Sequence, residues 1–129
     1  MRFELEEVEF MPAVLQPGVL YVSRQYSTAA HRCACGCGSK VRTPLGPTEW
    51  TVTPSAAGPS LWPSVGNWQK PCRSHYVIGD GEVYWCAEWS PAEVAAGRFR
   101  EQRRREAHYA KRAKTPWRRV RRWLATLFG

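Results

Sequence analysis

Hydrophobic positions in the first two-thirds of the chain recur mostly every second residue, in short runs cut by glycine and proline, which is the pattern of half-buried β-strands. Phe3, Leu5, Val8 and Phe10 alternate imperfectly with four glutamates, as an edge strand would, before Pro12 and Pro17-Gly18 punctuate the chain. Val19-Leu20-Tyr21-Val22 is a compact β-favouring run that leads through Ser23 to Thr28 toward a cysteine-rich loop. Lys40-Val41-Arg42-Thr43 and Glu49-Trp50-Thr51-Val52-Thr53 alternate with a period of two around the turn-forming Pro44-Leu45-Gly46-Pro47. Residues 54–71 read as a loop, rich in proline and glycine but aromatic enough to pack. The strongest local signal is the pair His75-Tyr76-Val77-Ile78 and Glu82-Val83-Tyr84-Trp85, two β-favouring arms around Gly79-Asp80-Gly81. Asp-Gly supplies the positive φ that a tight hairpin turn requires.

The period then changes. Ser90-Pro91-Ala92-Glu93 reads as a helix start, with Ser90 as N-cap, Pro91 at the first helical position and Glu93 closing a capping box. Thr115-Pro116 repeats the signal, so the pattern predicts two helices, about 91–112 and 116–128, the second with Trp117, Val120, Trp123, Leu124, Leu127 and Phe128 on one face. The expected fold is α+β: a compact β-rich body of short antiparallel strands over residues 1–89, followed by a helical tail over 90–129.

Composition sharpens this division. A chain of 129 residues with 43% hydrophobic residues and seven tryptophans suits one folded body with a modest core. Residues 1–97 carry seven Lys/Arg against nine Asp/Glu, whereas residues 98–129 carry twelve against two, so the positive charge sits almost wholly in the tail. No apolar run approaches the ~20 residues of a membrane span, and the acidic start is the reverse of a secretory leader, so a cytoplasmic protein is expected.

In a reducing compartment, clustered cysteines point to metal rather than to disulfides. Four of the five cysteines and two of the three histidines fall in His31-Arg32-Cys33-Ala34-Cys35-Gly36-Cys37-Gly38 and Cys72-Arg73-Ser74-His75. Thiolate and imidazole are the ligands Zn²⁺ selects, and one ion could staple the two loops as a structural zinc site. The preferred set is Cys35, Cys37, Cys72 and His75, with Cys33 an almost equal substitute for either of the first two and His31 in reserve. Cys86, inside a strand-like run, reads as a small buried hydrophobe. The order His31-x-Cys33 is the reverse of what a Rieske cluster needs, and the H-x-E half of a zinc deaminase is missing.

The set Pro17-Gly18-Val19-Leu20-Tyr21-Val22-Ser23, Thr28-Ala29-Ala30-His31-x-Cys33-x-Cys35-Gly36-Cys37-Gly38, Thr43-Pro44-Leu45, Pro63-Ser64-Val65-Gly66-Asn67-Trp68 and Cys72-Arg73-Ser74-His75-Tyr76 resembles a family of small Cys/His-rich bacterial and phage proteins. The resemblance covers roughly residues 10–90 and implies a metal-binding domain of unknown function, some of whose members are encoded beside bacterial ubiquitin-like conjugation components. It implies an accessory or adaptor role there, and it does not reach the basic tail.

The expected function is therefore a non-enzymatic, zinc-stapled module that binds a macromolecule, first of all a protein such as a ubiquitin-like conjugation component, with the tail as a second contact. One alternative is nucleic-acid binding through the Arg/aromatic residues of 98–122, with an anionic membrane surface a less favoured target. The other is an enzyme, either a Cys/His-dependent transferase or a metal-dependent hydrolase.

Overall fold

The computed structural model describes residues 1–128, with side chains described through residue 111. Eight strands form two four-stranded sheets. The first sheet holds β1 (Glu4–Glu7), β2 (Val19–Ser23), β3 (Thr28–Arg32) and β4 (Lys40–Pro44) in that order, and the second holds β5 (Thr51–Thr53), β6 (Ser60–Gly66), β7 (His75–Gly79) and β8 (Glu82–Trp85). The α+β, β-rich architecture is as the hydrophobic pattern implies. All strand pairs are antiparallel except β1 with β2, which run parallel with Glu4 opposite Val19. The eleven residues between those two strands let the chain return to start β2 beside the start of β1.

One core cluster draws on both sheets: Phe3, Leu20, Val22, Ala29 and Val41 from the first half, and Val52, Leu61, Val65, Tyr76 and Ile78 from the second. Phe3 is fully buried, and its amide donates to the Gly81 carbonyl at 2.7 Å, so the N-terminal segment joins the hairpin turn. That turn is the expected two-residue Asp80-Gly81 connection, with φ of 47° and 81° and Gly79 opposite Glu82. A Cβ on Gly81 would lie 3.0 Å from the carbonyl oxygens of both Phe3 and Ala57, so glycine is required there for space as well as for φ.

Two strands lie where the sequence suggests none. β3 follows directly from the short turn after β2, and its Thr28-Ala29-Ala30 are too small and mixed to announce a strand, yet Ala29 and Ala30 are buried between β2 and β4. β6 runs through the stretch expected to be a loop. Its pairing with β7 is broken by a bulge: Leu61 faces Ile78 and Val65 faces Tyr76, leaving Trp62, Pro63 and Ser64 opposite Val77 alone. Pro63, which follows a cis peptide bond, has no amide proton to give to the ladder, so the strand bends out at this point.

The chain divides into two units, Met1–Glu88 and a second beginning at Trp89. The second is the helix α1 (Pro91–Phe128), opened by the expected capping box: the Ser90 amide donates to Glu93 Oε1 at 3.1 Å and the Glu93 amide to Ser90 Oγ at 3.2 Å. Those contacts, the backbone one first, also hold the Glu93 carboxyl below its ordinary range. Where Thr115-Pro116 suggests a break, α1 continues as one element. A proline inside a helix forfeits one backbone hydrogen bond, and here strong helix formers, Ala110 to Lys114 before it and Arg118 to Arg122 after it, carry the helix across.

Candidate functional site

The cysteine loop leaves the end of β3 and folds on itself. Cys33 donates its amide to the Ser39 carbonyl at 2.8 Å, the Gly36 amide donates to the Cys33 carbonyl at 3.1 Å, and Gly36 and Gly38 adopt φ of 86° and 81°. This hairpin-like loop brings Cys33, Cys35 and Cys37 to Cys72, which lies just before β7. The four sulfurs lie within 4.8 Å of one another, with Cys33 to Cys35 at 3.4 Å and Cys33 to Cys72 at 3.9 Å. A tetrahedron of thiolates about 2.3 Å from a zinc ion has edges of about 3.8 Å, so the spacing suits a metal ion held by four cysteines. No disulfide links them. Their protonation is uneven: the Ser39 hydroxyl and amide hold Cys37 down at about 6, while desolvation pushes Cys35 up to about 12.

His75 lies outside this cluster. Its Nε2 faces Ser64 Oγ at 2.9 Å and its Nδ1 faces the Ala87 carbonyl oxygen at 2.7 Å. A carbonyl can only accept, so Nδ1 carries a proton, and in the neutral ring Nε2 then presents its lone pair to the Ser64 hydroxyl, which donates to it. The cysteines alone complete a fourfold set, because Cys33 takes the place expected for the histidine. His31, the reserve ligand, is also elsewhere: it is fully buried, its Nε2 lies 2.6 Å from the Tyr76 hydroxyl, and its ring meets Phe3 edge-on at 5.3 Å. Desolvation lowers its pKa to about 4, which keeps it neutral, as befits a core histidine. Cys86, expected to be buried, is exposed, because β8 is the edge strand of its sheet and mostly faces outward.

The short stretch Cys72-Arg73-Ser74-His75 connects the two groups. Cys72 belongs to the sulfur cluster. Arg73, at φ 44°, pairs with Glu88 at 2.8 Å, and the Cys86 amide donates to the His75 carbonyl at 2.8 Å, so contacts on both sides of Ala87 hold its carbonyl against the imidazole. Ser74 Oγ lies 3.0 Å from Cys33 Sγ and accepts from Asn67 Nδ2 at 2.9 Å, while Asn67 Nδ2 also reaches Cys33 Sγ at 3.5 Å. Asn67 follows directly on β6, three residues beyond Ser64, and is buried. Asn67 and Ser74, which flank the pair in sequence, are thus tied to Cys33 through buried polar contacts.

Strand register brings Ser64 to the imidazole. Gly66 is the register partner of His75, so Ser64, two residues earlier on β6, is its diagonal neighbour. Glycine at 66 makes room for Trp68: a Cβ there would lie 2.5 Å from the indole Nε1. The Trp68 ring packs edge-on against His75 with centroids 5.0 Å apart and lies under the Arg73 guanidinium at 5.5 Å. His75 is buried and Ser64 half-buried, while Trp62 on the same strand is 65% exposed, so the hydroxyl sits where solvent ends and the packed imidazole begins.

Ser64 escaped the sequence reading. Its strand was obscured by two prolines and a bulge, and a serine stands in no spacing that announces a nucleophile. The available signal was its place in Pro63-Ser64-Val65-Gly66-Asn67-Trp68, one of the blocks that carry the family resemblance.

Comparison with known proteins agrees with that resemblance: residues 7–86 match the BubE family, described as the serine protease of a bacterial ubiquitination-like system. The match covers well over half of the chain and ends before α1. No curated protein and no solved structure matches.

Proposed function

Because the chain belongs to the BubE family of bacterial ubiquitination-like systems, we propose that it is a serine hydrolase cleaving a peptide or isopeptide bond in a protein of such a system, with Ser64 as nucleophile and His75 as general base. The observation that carries this reading is the 2.9 Å contact from Ser64 Oγ to His75 Nε2, with Nδ1 fixed on the Ala87 carbonyl at 2.7 Å. A serine hydroxyl is a weak nucleophile until a neighbouring base takes its proton, and the base must be held in the tautomer that leaves its lone pair toward the serine. Here a main-chain carbonyl does the holding where other hydrolases use a carboxylate.

Ser64 Oγ attacks the scissile carbonyl carbon while its proton passes to His75 Nε2. The imidazolium returns that proton to the leaving amine as the C–N bond breaks, which leaves an ester on Ser64. Water, deprotonated by the same Nε2, then hydrolyses the ester and restores the hydroxyl. The expectation of a non-enzymatic module rested on the cysteines, the basic tail and the adaptor role implied by the resemblance, and the Ser64–His75 geometry favours the enzyme.

The four cysteines have a different part. Cys33, Cys35, Cys37 and Cys72 would hold zinc with every position of the tetrahedron filled, and such an ion supplies structural cross-linking rather than an activated water. Their contribution to catalysis is to hold the turn that delivers His75, three residues past Cys72.

A fluorophosphonate probe tests the proposal, since an activated serine oxygen displaces its fluoride and becomes phosphonylated. The purified chain is expected to gain one adduct, mapped to Ser64 by mass spectrometry, and to lose it in Ser64→Ala and His75→Ala. Labelling at another serine, or undiminished labelling in His75→Ala with the fold intact, would overturn the assignment.

A further inference from the structure

We propose that α1 is an interfacial helix that binds the surface of an anionic lipid bilayer. This rests on α1 alone and is independent of the Ser64–His75 assignment. The continuity of α1 is the first observation. At 1.5 Å per residue its 38 residues span about 57 Å, and running unbroken through Pro116 it places Tyr109, Ala113, Trp117, Val120, Leu124 and Phe128 in one line. Their separations of four, four, three, four and four residues keep them on one face of a helix. With a break at Thr115-Pro116, Tyr109 and Ala113 would belong to a different face from Trp117 and Leu124.

The second observation is charge. Arg104, Lys111, Arg118 and Arg122, at separations of seven, seven and four residues, fall on the side of α1 away from that line, and residues 98–129 hold twelve Lys/Arg against two acidic residues. In the part whose side chains are described, Phe99 and Tyr109 are each 60% exposed, and the Arg103 guanidinium lies 5.8 Å from the Phe99 ring.

The two faces together select the partner. A nucleic acid would engage the arginines and leave the aliphatic line in water, where Val120 and Leu124 have no base to stack on. A protein groove would cover the apolar line and leave a dense arginine face without a counter-charge. An anionic bilayer takes both at once: the apolar line enters the boundary between headgroups and acyl chains, and the cations reach lipid phosphates from the flanks. Among the described residues no helix is long and apolar enough to cross a membrane, so α1 would lie along the surface rather than span it.

Co-sedimentation of the full chain with phosphatidylcholine vesicles, with and without phosphatidylglycerol, tests this. Binding is expected only to the anionic vesicles, with a blue shift of tryptophan emission and progressive release by salt. Arg118→Glu is expected to weaken partitioning about 30-fold, since each basic residue near such a surface contributes about fivefold and the reversal counts twice. Leu124→Glu should weaken it at least about tenfold. Circular dichroism and thermal melting of each variant show whether helix and body remain intact without reference to Ser64 labelling, so failure of this proposal is separable from failure of the hydrolase assignment. Equal binding to both vesicle types, or to neither, overturns it. So does duplex DNA binding that survives Leu124→Glu, or self-association that Leu124→Glu abolishes in the absence of vesicle binding.

Discussion

The sulfur cluster and the Ser64–His75 pair meet in one short stretch, Cys72 to His75, yet they are built in opposite ways. The cluster takes four side chains of one kind from two loops, and only their mutual distance matters. The pair takes two unlike side chains from neighbouring strands, and everything depends on direction: which nitrogen carries the proton, which face of β6 presents the hydroxyl, which carbonyl holds the ring. A set of ligands around an ion tolerates a flexible loop because the ion itself imposes geometry. A proton relay has no such organiser and must borrow rigidity from its surroundings. We propose that in this molecule the cluster, linked to the turn through Ser74 and Asn67, is the source of that rigidity.

If so, removing the cluster should damage both regions, and this is the largest effect expected. Cys72→Ala, or treatment with a strong chelator, is expected to release the bound metal and lower the melting temperature by more than about 10 °C, because a structural ion of this kind commonly contributes several kcal/mol of folding free energy. Labelling of Ser64 should disappear with it. Metal content by elemental analysis, thermal melting and probe labelling read the three quantities separately. A chain that lost its metal and kept both stability and labelling would show the two regions to be independent.

Ser64→Ala makes the converse cut. Removing the nucleophile should reduce hydrolysis by about 10³-fold or more. It should leave metal content unchanged, since Ser64 bonds to His75 and not to the cysteines, and lower stability by only about 1 kcal/mol, the cost of leaving the buried Nε2 without its donor. Steady-state kinetics beside a thermal melt makes this comparison directly.

The same contrast explains what could be read from the chain. Cysteines are rare and their clustering is conspicuous, so Cys33, Cys35, Cys37 and Cys72 stood out without any fold in hand. The hairpin at Asp80-Gly81 and the Ser90–Glu93 cap were legible because both are local devices, written within four or five consecutive residues. His75 was legible as important but not in its role, because Cys-x-x-His has a familiar ligand spacing, and spacing does not reveal that both ring nitrogens are already engaged. Ser64 and β6 were not legible, since the bulge beside Ser64 breaks the period-two pattern by which strands are found. β3 was missed for a related reason: small residues fit between two covering strands but carry almost no hydrophobic signal.

A third effect concerns the core beneath both regions. His31 stands two residues before Cys33 and bonds to Tyr76, the residue after His75, so it links β3 to β7 under the turn. Burial lowers its pKa from 6.5 to about 4, so between these values the unfolded chain takes up a proton that the folded chain refuses. Stability from this residue is complete above pH 6.5 and is withdrawn as pH falls toward 4, by up to about 3 kcal/mol. Denaturant unfolding at intervals across that range should show a steeper pH dependence in the native chain than in His31→Gln, which cannot titrate. Parallel curves for the two chains would remove His31 from the account.

The smallest effect is the most discriminating, because it touches the connection and neither region itself. Asn67 Nδ2 donates to Ser74 Oγ at 2.9 Å and reaches Cys33 Sγ at 3.5 Å, and its backbone amide donates to the Ser74 carbonyl at 2.8 Å. Asn67→Ala keeps the backbone bond and strips the side-chain ones, leaving a buried hydroxyl and sulfur short of a donor, which costs about 1–2 kcal/mol. Were the cluster and the pair merely neighbours, that loss would appear in the melting temperature alone. Because Asn67 directly follows the strand that carries Ser64 and Ser74 adjoins His75, the expected outcome is a loss of roughly three- to tenfold in kcat, KM unchanged, with the metal retained. A double-mutant cycle with Ser74→Ala should then give a coupling of about 1 kcal/mol in both stability and kcat, because each substitution removes the same hydrogen bond. Coupling in stability without coupling in kcat would mean that the sulfur cluster holds the fold together but does not hold the imidazole to the serine.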